Sequence, residues 1–339
     1  MKLNYNEIKD ITVGAALVEE RDGGVGFSRF TKEQRTLYCN RTEACYLRSL
    51  SMSGIKLCFK TDSRKLGMSI GISPASSRKY YAVDILVDGE YIGGLNNFEG
   101  TELPQKYTVV DLKIEDTEKT FDLGNGEKLV EIYLPWSANA VIKEMSLDDG
   151  AYINPVKREK KLLALGDSIT QGYDALHPIN SYVARLAKAL GADEYNKGIG
   201  GEIFFPELAL TKEDFTPDYI TVAYGTNDWS ICEKDVFRKN CSEFYSNLRK
   251  TYPDVKIFAI TPVWRTDING ERPMGKFDVV ENTIKTVAEK LDITVISGLQ
   301  LIPPEETLFA DLFVHPSDEG FRYYYENLYK QMKEKGDLK

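Results

Sequence analysis

Ser168 stands two positions after Gly166, where the apolar run Leu162-Leu163-Ala164-Leu165 ends. A buried strand that stops at Gly-Asp-Ser and turns into a helix places its serine at the carboxyl edge of a sheet. Open α/β sheets bind their ligands at that edge, and backbone N–H groups there point outward and can receive an anion. The position suits a nucleophilic serine and the oxyanion it generates. The same residues also read as a serine that merely caps the next helix. A serine hydroxyl needs a base in hydrogen-bond contact to attack at neutral pH. The chain holds two histidines, His177 and His315, so the base would be one of them.

Three further segments carry matching chemistry. Tyr195-Asn196-Lys197-Gly198-Ile199-Gly200-Gly201-Glu202 follows a short apolar stretch, and its glycines let a backbone N–H approach a ligand. Tyr224-Gly225-Thr226-Asn227-Asp228-Trp229 follows another strand and brings an asparagine amide to the same edge. Asp311-Leu312-Phe313-Val314-His315-Pro316 supplies a histidine with a nearby carboxylate. Each has a plain structural alternative, since glycine and Asn-Asp are ordinary turn residues. A competing histidine lies in Asp174-Ala175-Leu176-His177-Pro178, nine positions after the serine.

The elements that must position these residues fall into two textures. From about residue 12 to 147 the segments are short and alternating, as in Ile55, Leu57 and Phe59 against Lys56, Cys58 and Lys60, or Val130, Ile132 and Leu134 against Glu131 and Tyr133. Period two marks half-buried strands. Asp88-Gly89 and Gly124-Asn125-Gly126 read as hairpin turns. No amphipathic helix of three turns interrupts this half, which predicts an all-β sandwich or jelly roll over residues 1–155. After the charged run 155–161, strands near 162–165, 194–197, 219–224, 255–261 and 293–297 alternate with helices near 180–190, 203–210, 233–251, 276–291 and 317–334. That order predicts a parallel sheet covered on both faces over residues 156–339.

Composition bounds the functional classes. A length of 339 residues makes two domains the default expectation. The net charge of −9 argues against nucleic acid or an anionic membrane surface as partner. No uncharged apolar run reaches the roughly 20 residues needed to span a bilayer. The five cysteines are odd in number and lack CxxC spacing, which reads as reduced thiols rather than disulfides or a zinc site. A cytoplasmic protein with no metal or other cofactor is the expectation, and homo-oligomers are compatible with it.

On its four blocks, residues 162–320 resemble the SGNH hydrolases, the GDSL esterase/lipase superfamily. Gly166-Asp167-Ser168-Ile169 is similar to the first block, with isoleucine for the usual leucine; Gly201, Asn227 and His315 match the glycine, asparagine and histidine of the others. The resemblance implies a flavodoxin-like three-layer α/β domain and ester or thioester hydrolysis without a cofactor. Ser168 would be the nucleophile and His315 the base, taken over His177 because the superfamily draws its histidine from the C-terminal segment. The backbone N–H groups of Ser168 and Gly201 and the Asn227 amide would receive the oxyanion. The carboxylate departs from the pattern: Asp-x-x-His is usual, whereas Asp311 precedes His315 by four. Asp311 completes a triad if the loop absorbs the extra residue; otherwise the site is a Ser-His dyad oriented by a backbone carbonyl.

A β-sandwich ahead of such a domain resembles two-domain carbohydrate esterases that remove acetyl groups from plant polysaccharides. Asp167, Tyr173, His177, Trp229 and Trp264 are then candidate substrate contacts, the aromatic faces stacking on sugar rings. The expected partner is a small-molecule or oligosaccharide ester. A general short-chain esterase, lipase or thioesterase is the alternative within the same chemistry, and a non-catalytic sugar-binding protein the alternative outside it.

Overall fold

The computed structural model describes every residue except 105, 337 and 339. The first half is built on two antiparallel sheets. One orders its strands Thr12–Val13, Lys56–Thr61, Lys128–Tyr133, Ala82–Val87 and Glu90–Asn96, with Asn154–Pro155 also pairing Lys56–Thr61. The other runs Leu17–Arg21, Gly24–Ser28, Ala138–Leu147, Lys65–Pro74 and Thr117–Asp122. Alternate residues of both meet in one apolar cluster, Leu57, Phe59, Val83, Ile85, Val130 and Ile132 against Phe27, Leu66, Met68, Ile70, Ile142 and Met145. Three short helices accompany the sheets, Tyr5–Ile11 before the first strand and Lys32–Cys39 and Glu43–Ser49 between Gly24–Ser28 and Lys56–Thr61; each starts at a side-chain cap, Asn4, Thr31 or Thr42.

Two expectations for this half need correction. Asp88-Gly89 does turn a hairpin between Ala82–Val87 and Glu90–Asn96. Gly124-Asn125-Gly126 does not, because the strand before it pairs Lys65–Pro74 and the strand after it pairs Lys56–Thr61. It carries the chain from one sheet to the other. The polar alternates Lys56, Cys58 and Glu131 are also buried, not solvated. The second half covers that face, and Lys56 pairs with Glu131 at 2.6 Å to keep neither charge alone.

The second half has five parallel strands in the order Ala192–Asn196, Lys160–Gly166, Tyr219–Ala223, Lys256–Ile260 and Thr294–Ile296. Counted along the chain this is 2-1-3-4-5, the flavodoxin-like order, with its switch point between Lys160–Gly166 and Tyr219–Ala223. Helices Tyr182–Leu190 and Asp318–Gly336 pack on one face and Lys234–Thr251 and Asp278–Glu289 on the other. The helix expected near 203–210 shrinks to a 3-10 turn, Leu208–Leu210. Pro206 keeps the preceding residue out of the α region, so the chain stays extended there.

The two halves share buried surface. Phe30, Tyr38 and Cys45 belong to the cluster beneath one helical face of the parallel sheet, and Tyr80, Tyr107 and Trp136 to the cluster beneath the other. Arg29 is fully buried and donates to the carbonyls of Ser51, Asn196 and Gly198 at 2.9–3.0 Å. Burial lowers its guanidinium to about 9, and those carbonyls compensate the desolvated donors.

Candidate active site

Ser168 sits at the switch point. The strand Lys160–Gly166 ends below it, and the single-turn helix Ser168–Gln171 begins with it. Gly166 has no substitute here, since a Cβ would lie 2.1 Å from Thr170 Oγ1 and 2.8 Å from the Ala223 carbonyl. Asp167 caps the turn by accepting the Ile169 N–H at 3.0 Å. Thr170 Oγ1 and Tyr182 Oη, 2.8 Å apart, tie the turn to the next helix.

His315 Nε2 lies 2.8 Å from Ser168 Oγ, and His315 Nδ1 lies 2.7 Å from Asp311 Oδ2. A carboxylate only accepts, so Nδ1 carries the proton and Nε2 is the free lone pair facing the serine hydroxyl. The loop absorbs its extra residue at Leu312, whose φ of +54° is left-handed. Asp311 Oδ1 meanwhile accepts the N–H groups of Phe313, Val314 and His315 at 2.8–3.0 Å. Burial alone would raise the Asp311 carboxyl, but the His315 bond and these backbone donors outweigh it and hold it down to about 2. The expected alternative, a dyad oriented by a carbonyl, is not the arrangement seen.

The strands on either side of Lys160–Gly166 deliver the anion donors. Gly201 follows Ala192–Asn196 with φ +78°, a conformation that favours glycine. Its loop is pinned where the Gly200 N–H donates to Gln171 Oε1 at 2.7 Å and Arg48 Nη1 donates to the Gly200 carbonyl at 2.6 Å. Asn227 opens the helix Thr226–Ile231 after Tyr219–Ala223 and donates one Nδ2 hydrogen to the Glu202 carbonyl at 2.9 Å. Its second hydrogen takes no acceptor among the described residues. The backbone N–H groups of Ser168 and Gly201 take no acceptor among the described residues.

Residues 164–323 match the model of the GDSL-like lipase/acylhydrolase family. Over those residues the chain is a GDSL-type hydrolase. Its chemistry is that of a carboxylic ester hydrolase. Solved structures resemble the chain across both halves. A salicylyl-acyltransferase, SsfX3, from a tetracycline biosynthetic pathway aligns over 95% of this chain and 94% of its own, at 23% identity and a TM-score of 0.79. A structure described as a GDSL-like lipase from Bacteroides ovatus covers 98% and 97% at 19% identity and 0.75. A family two carbohydrate esterase from Clostridium thermocellum, solved with cellohexaose, covers 97% and 100% at 15% identity and 0.67. At these identities the likeness is one of fold. Among curated proteins none matches the chain.

Several expected substrate contacts of the GDSL domain fall elsewhere. Trp229 is fully buried, with Nε1 donating to the Gly275 carbonyl at 2.9 Å, so it is core and presents no face to a sugar. His177 is away from the serine: its Nδ1 meets buried Asp84 at 2.7 Å, and Tyr91 and Phe98 flank its ring. That carboxylate favours the protonated imidazole and raises its pKa. Tyr173 is buried with its ring 5.4 Å from that of His315, where it walls the base. Asp167 is buried and its role is the cap; burial pushes its carboxyl up to about 7. Trp264 is half-buried against Phe309, 5.4 Å between ring centres.

The residues that sequence reasoning missed come mostly from the first half. Arg78 Nε and Nη2 donate to Asp174 at 2.6 and 2.8 Å, Tyr80 Oη donates to the same carboxylate at 2.8 Å, and Trp136 Nε1 donates to the Ala175 carbonyl at 2.7 Å. No local pattern marks Arg78 or Tyr80, which lie in a strand-connecting segment 90 and 88 positions upstream of the serine. Gln171 was within reach of the sequence, as part of the serine block, but its task of holding Gly200 was not. Asp174, Asp311 and His315 offer ligand atoms within 4.8 Å of one another, the spacing of a metal cluster. Arg78 and Tyr80 already occupy Asp174, and the Nδ1 proton occupies Asp311, so this set fits a hydrogen-bonded array better than a cation.

Proposed function

We propose that the chain is a serine O-acetylesterase acting on acetylated carbohydrates, with Ser168 as nucleophile, His315 as base and Asp311 as orienter. The continuous contact of Ser168, His315 and Asp311 at 2.8 and 2.7 Å carries this reading. In the reaction His315 Nε2 takes the Ser168 proton as Oγ bonds to the acyl carbon. The carbonyl oxygen gains charge and is received by the N–H groups of Ser168 and Gly201 and the free Asn227 hydrogen. The tetrahedral adduct collapses by breaking the bond to the sugar oxygen, which takes the proton from His315. Water then attacks the acetyl-serine by the same route, giving acetate and free Ser168.

The carbohydrate assignment is supported by the family two carbohydrate esterase that aligns over 97% of this chain and the whole of its own. In this reading residues 1–155 form an accessory β-sandwich, and half-exposed Trp264 is the aromatic left to meet a sugar. A second reading has its own observation, the salicylyl-acyltransferase that aligns along nearly the whole chain: the acyl-serine would pass to an alcohol in place of water. One panel separates them. Aryl acetate, butyrate and octanoate, with acetylated xylo- and manno-oligosaccharides, are assayed with and without excess acceptor alcohol. A small acyl pocket gains nothing from added methylenes, so acetate is expected to exceed butyrate by at least ~10-fold in kcat/KM. Octanoate as best substrate overturns the acetyl assignment. A transfer product that outpaces acetate release establishes the second reading.

A further inference from the structure

Asp174 belongs to the Asp-x-x-His-Pro segment whose histidine proved unrelated to the serine, yet its own carboxylate ended beside the catalytic base. Its Oδ2 lies 3.4 Å from His315 Nδ1, next to the 2.7 Å contact of Asp311. It is fully buried and holds a left-handed backbone, φ +73°, a conformation aspartate adopts more readily than most residues with a Cβ. Four residues of the first half hold it there. Arg78 and Tyr80 bind its carboxylate, Tyr107 Oη donates to its carbonyl at 2.5 Å, and Trp136 fastens the next residue. Two side chains of the first half, Arg78 and Tyr80, thus fix this buried carboxylate beside the catalytic base.

Resting on the reading that Ser168 and His315 are the reacting pair, we propose that Asp174 is a positioning residue for His315. It is a second acceptor for the Nδ1 proton, and Arg78 and Tyr80 set how strongly it acts. Two carboxylates and one guanidinium give the cluster a net charge of −1 while the imidazole is neutral. The cluster becomes neutral when the imidazole takes the serine proton, so its field favours the state in which the oxyanion forms. Without Arg78 the two carboxylates would face one imidazole uncompensated. Asp311 supplies the shorter bond, and Asp174 shares the proton when the ring tilts between them. The first half of the chain thereby reaches the catalytic base without touching substrate.

The test is a double-mutant cycle on aryl-acetate kcat with Asp311→Asn, Asp174→Asn and the pair, beside Ser168→Ala. With a second acceptor present, Asp311→Asn is expected to lose about 10–100-fold rather than the ~10⁴-fold of a triad whose carboxylate has no substitute. The double variant should fall at least ~10-fold below the product of the two single losses. A double loss equal to that product, or a full ~10⁴-fold loss for Asp311→Asn alone, overturns the role. Ser168→Ala reports separately: if it retains turnover, the underlying reading fails, whereas a multiplicative cycle with Ser168 still required defeats only Asp174.

Asp174→Asn also disturbs a buried pair, so Tyr80→Phe supplies a readout that keeps the carboxylate. The charged and titratable groups facing His315 are Asp311, Asp174 with Arg78 and Tyr80 behind it, Asp167 and Tyr173. Removing the Tyr80 donor leaves more negative charge at Nδ1, which moves the acid limb of the kcat/KM profile to higher pH. Asp174→Asn moves it lower. A limb that stays in place in Tyr80→Phe while the melting temperature falls assigns Asp174 to structure and refutes the proposal.

Discussion

His315 Nδ1 and Asp311 Oδ2 meet at 2.7 Å although the two residues are one position further apart than the usual spacing of this superfamily. The left-handed Leu312 takes up the added residue, and the Ala310 N–H closes the loop on the His315 carbonyl at 2.9 Å. Three backbone donors on Asp311 Oδ1 make the loop rigid, so the carboxylate is placed before substrate arrives.

Ser168→Ala is expected to reduce aryl-acetate hydrolysis at least ~10³-fold with no change in melting temperature beyond a degree or two, since the hydroxyl's removal leaves the turn's caps intact. Initial rates and a thermal melt check it together. Labelling of Ser168 by a phosphonyl reagent, seen by peptide mass, is expected in the native chain alone.

The two histidines should separate cleanly. His315→Ala removes the base and is expected to abolish turnover. His177→Ala leaves turnover near normal but uncovers the buried Asp84 carboxylate, whose partner is 2.7 Å away in the native chain. Its expected signature is a lower melting temperature with unchanged kcat, measured in parallel on both variants.

Asn227→Ala removes a donor that is useful only when charge develops on the acyl oxygen. A loss of about 10²–10³-fold in kcat is expected with KM little changed. An effect confined to KM would place Asn227 on the ground-state substrate instead. The Glu202 carbonyl loses its donor in this variant, so the melt is taken as well.

Asp228 links stability to pH. It is fully buried, accepts the Phe204 N–H at 3.1 Å through Oδ1, and leaves Oδ2 without a partner, so burial pushes its carboxyl up to about 7. An acid raised in the folded state contributes stability below its unfolded value near 3.8, and loses it as pH climbs toward 7. Asp167 and Glu194, also raised to about 7 by burial, and His177, raised chiefly by its bond to Asp84, act in the same direction. The native chain should therefore melt higher at pH 5.5 than at pH 8, the pH values being chosen on either side of about 7. Asp228→Asn keeps the Phe204 bond and cannot ionise, so it should reduce that difference while leaving the share of Asp167, Glu194 and His177. An unchanged pH dependence in the variant would show that Asp228 does not titrate in this window.

A fragment of residues 157–339 is expected to aggregate or to lack activity. It would expose the surfaces that bury Phe30, Tyr38, Tyr80, Tyr107 and Trp136 and would strip Arg78 from Asp174. Soluble yield and aryl-acetate turnover of the fragment against the whole chain decide the point.

Ser168, Gly201 and Asn227 were legible in the sequence because each sits in a short block after a strand, where local apolar runs and glycines mark the sheet edge; His315, which follows no strand, was chosen over His177 only through the resemblance of its block to the superfamily. The β-α alternation was legible for the same reason: period and strand ends are properties of neighbouring residues. Burial of Trp229, the pairing of His177 with Asp84 and the crossing of Gly124-Asn125-Gly126 between sheets were not, since each depends on which surface lies opposite. Lys56 and Glu131 alternate as solvated residues do, and only the arrival of the second half buries them. Asp174 shows the division most plainly. Its sequence neighbours suggested a partner three residues away, whereas the tertiary structure gave it Arg78, Tyr80 and His315, separated from it by 96, 94 and 141 positions. Hydrogen bonds and charges act through space over a few ångströms, and only the packing of the two halves brings those groups within that reach.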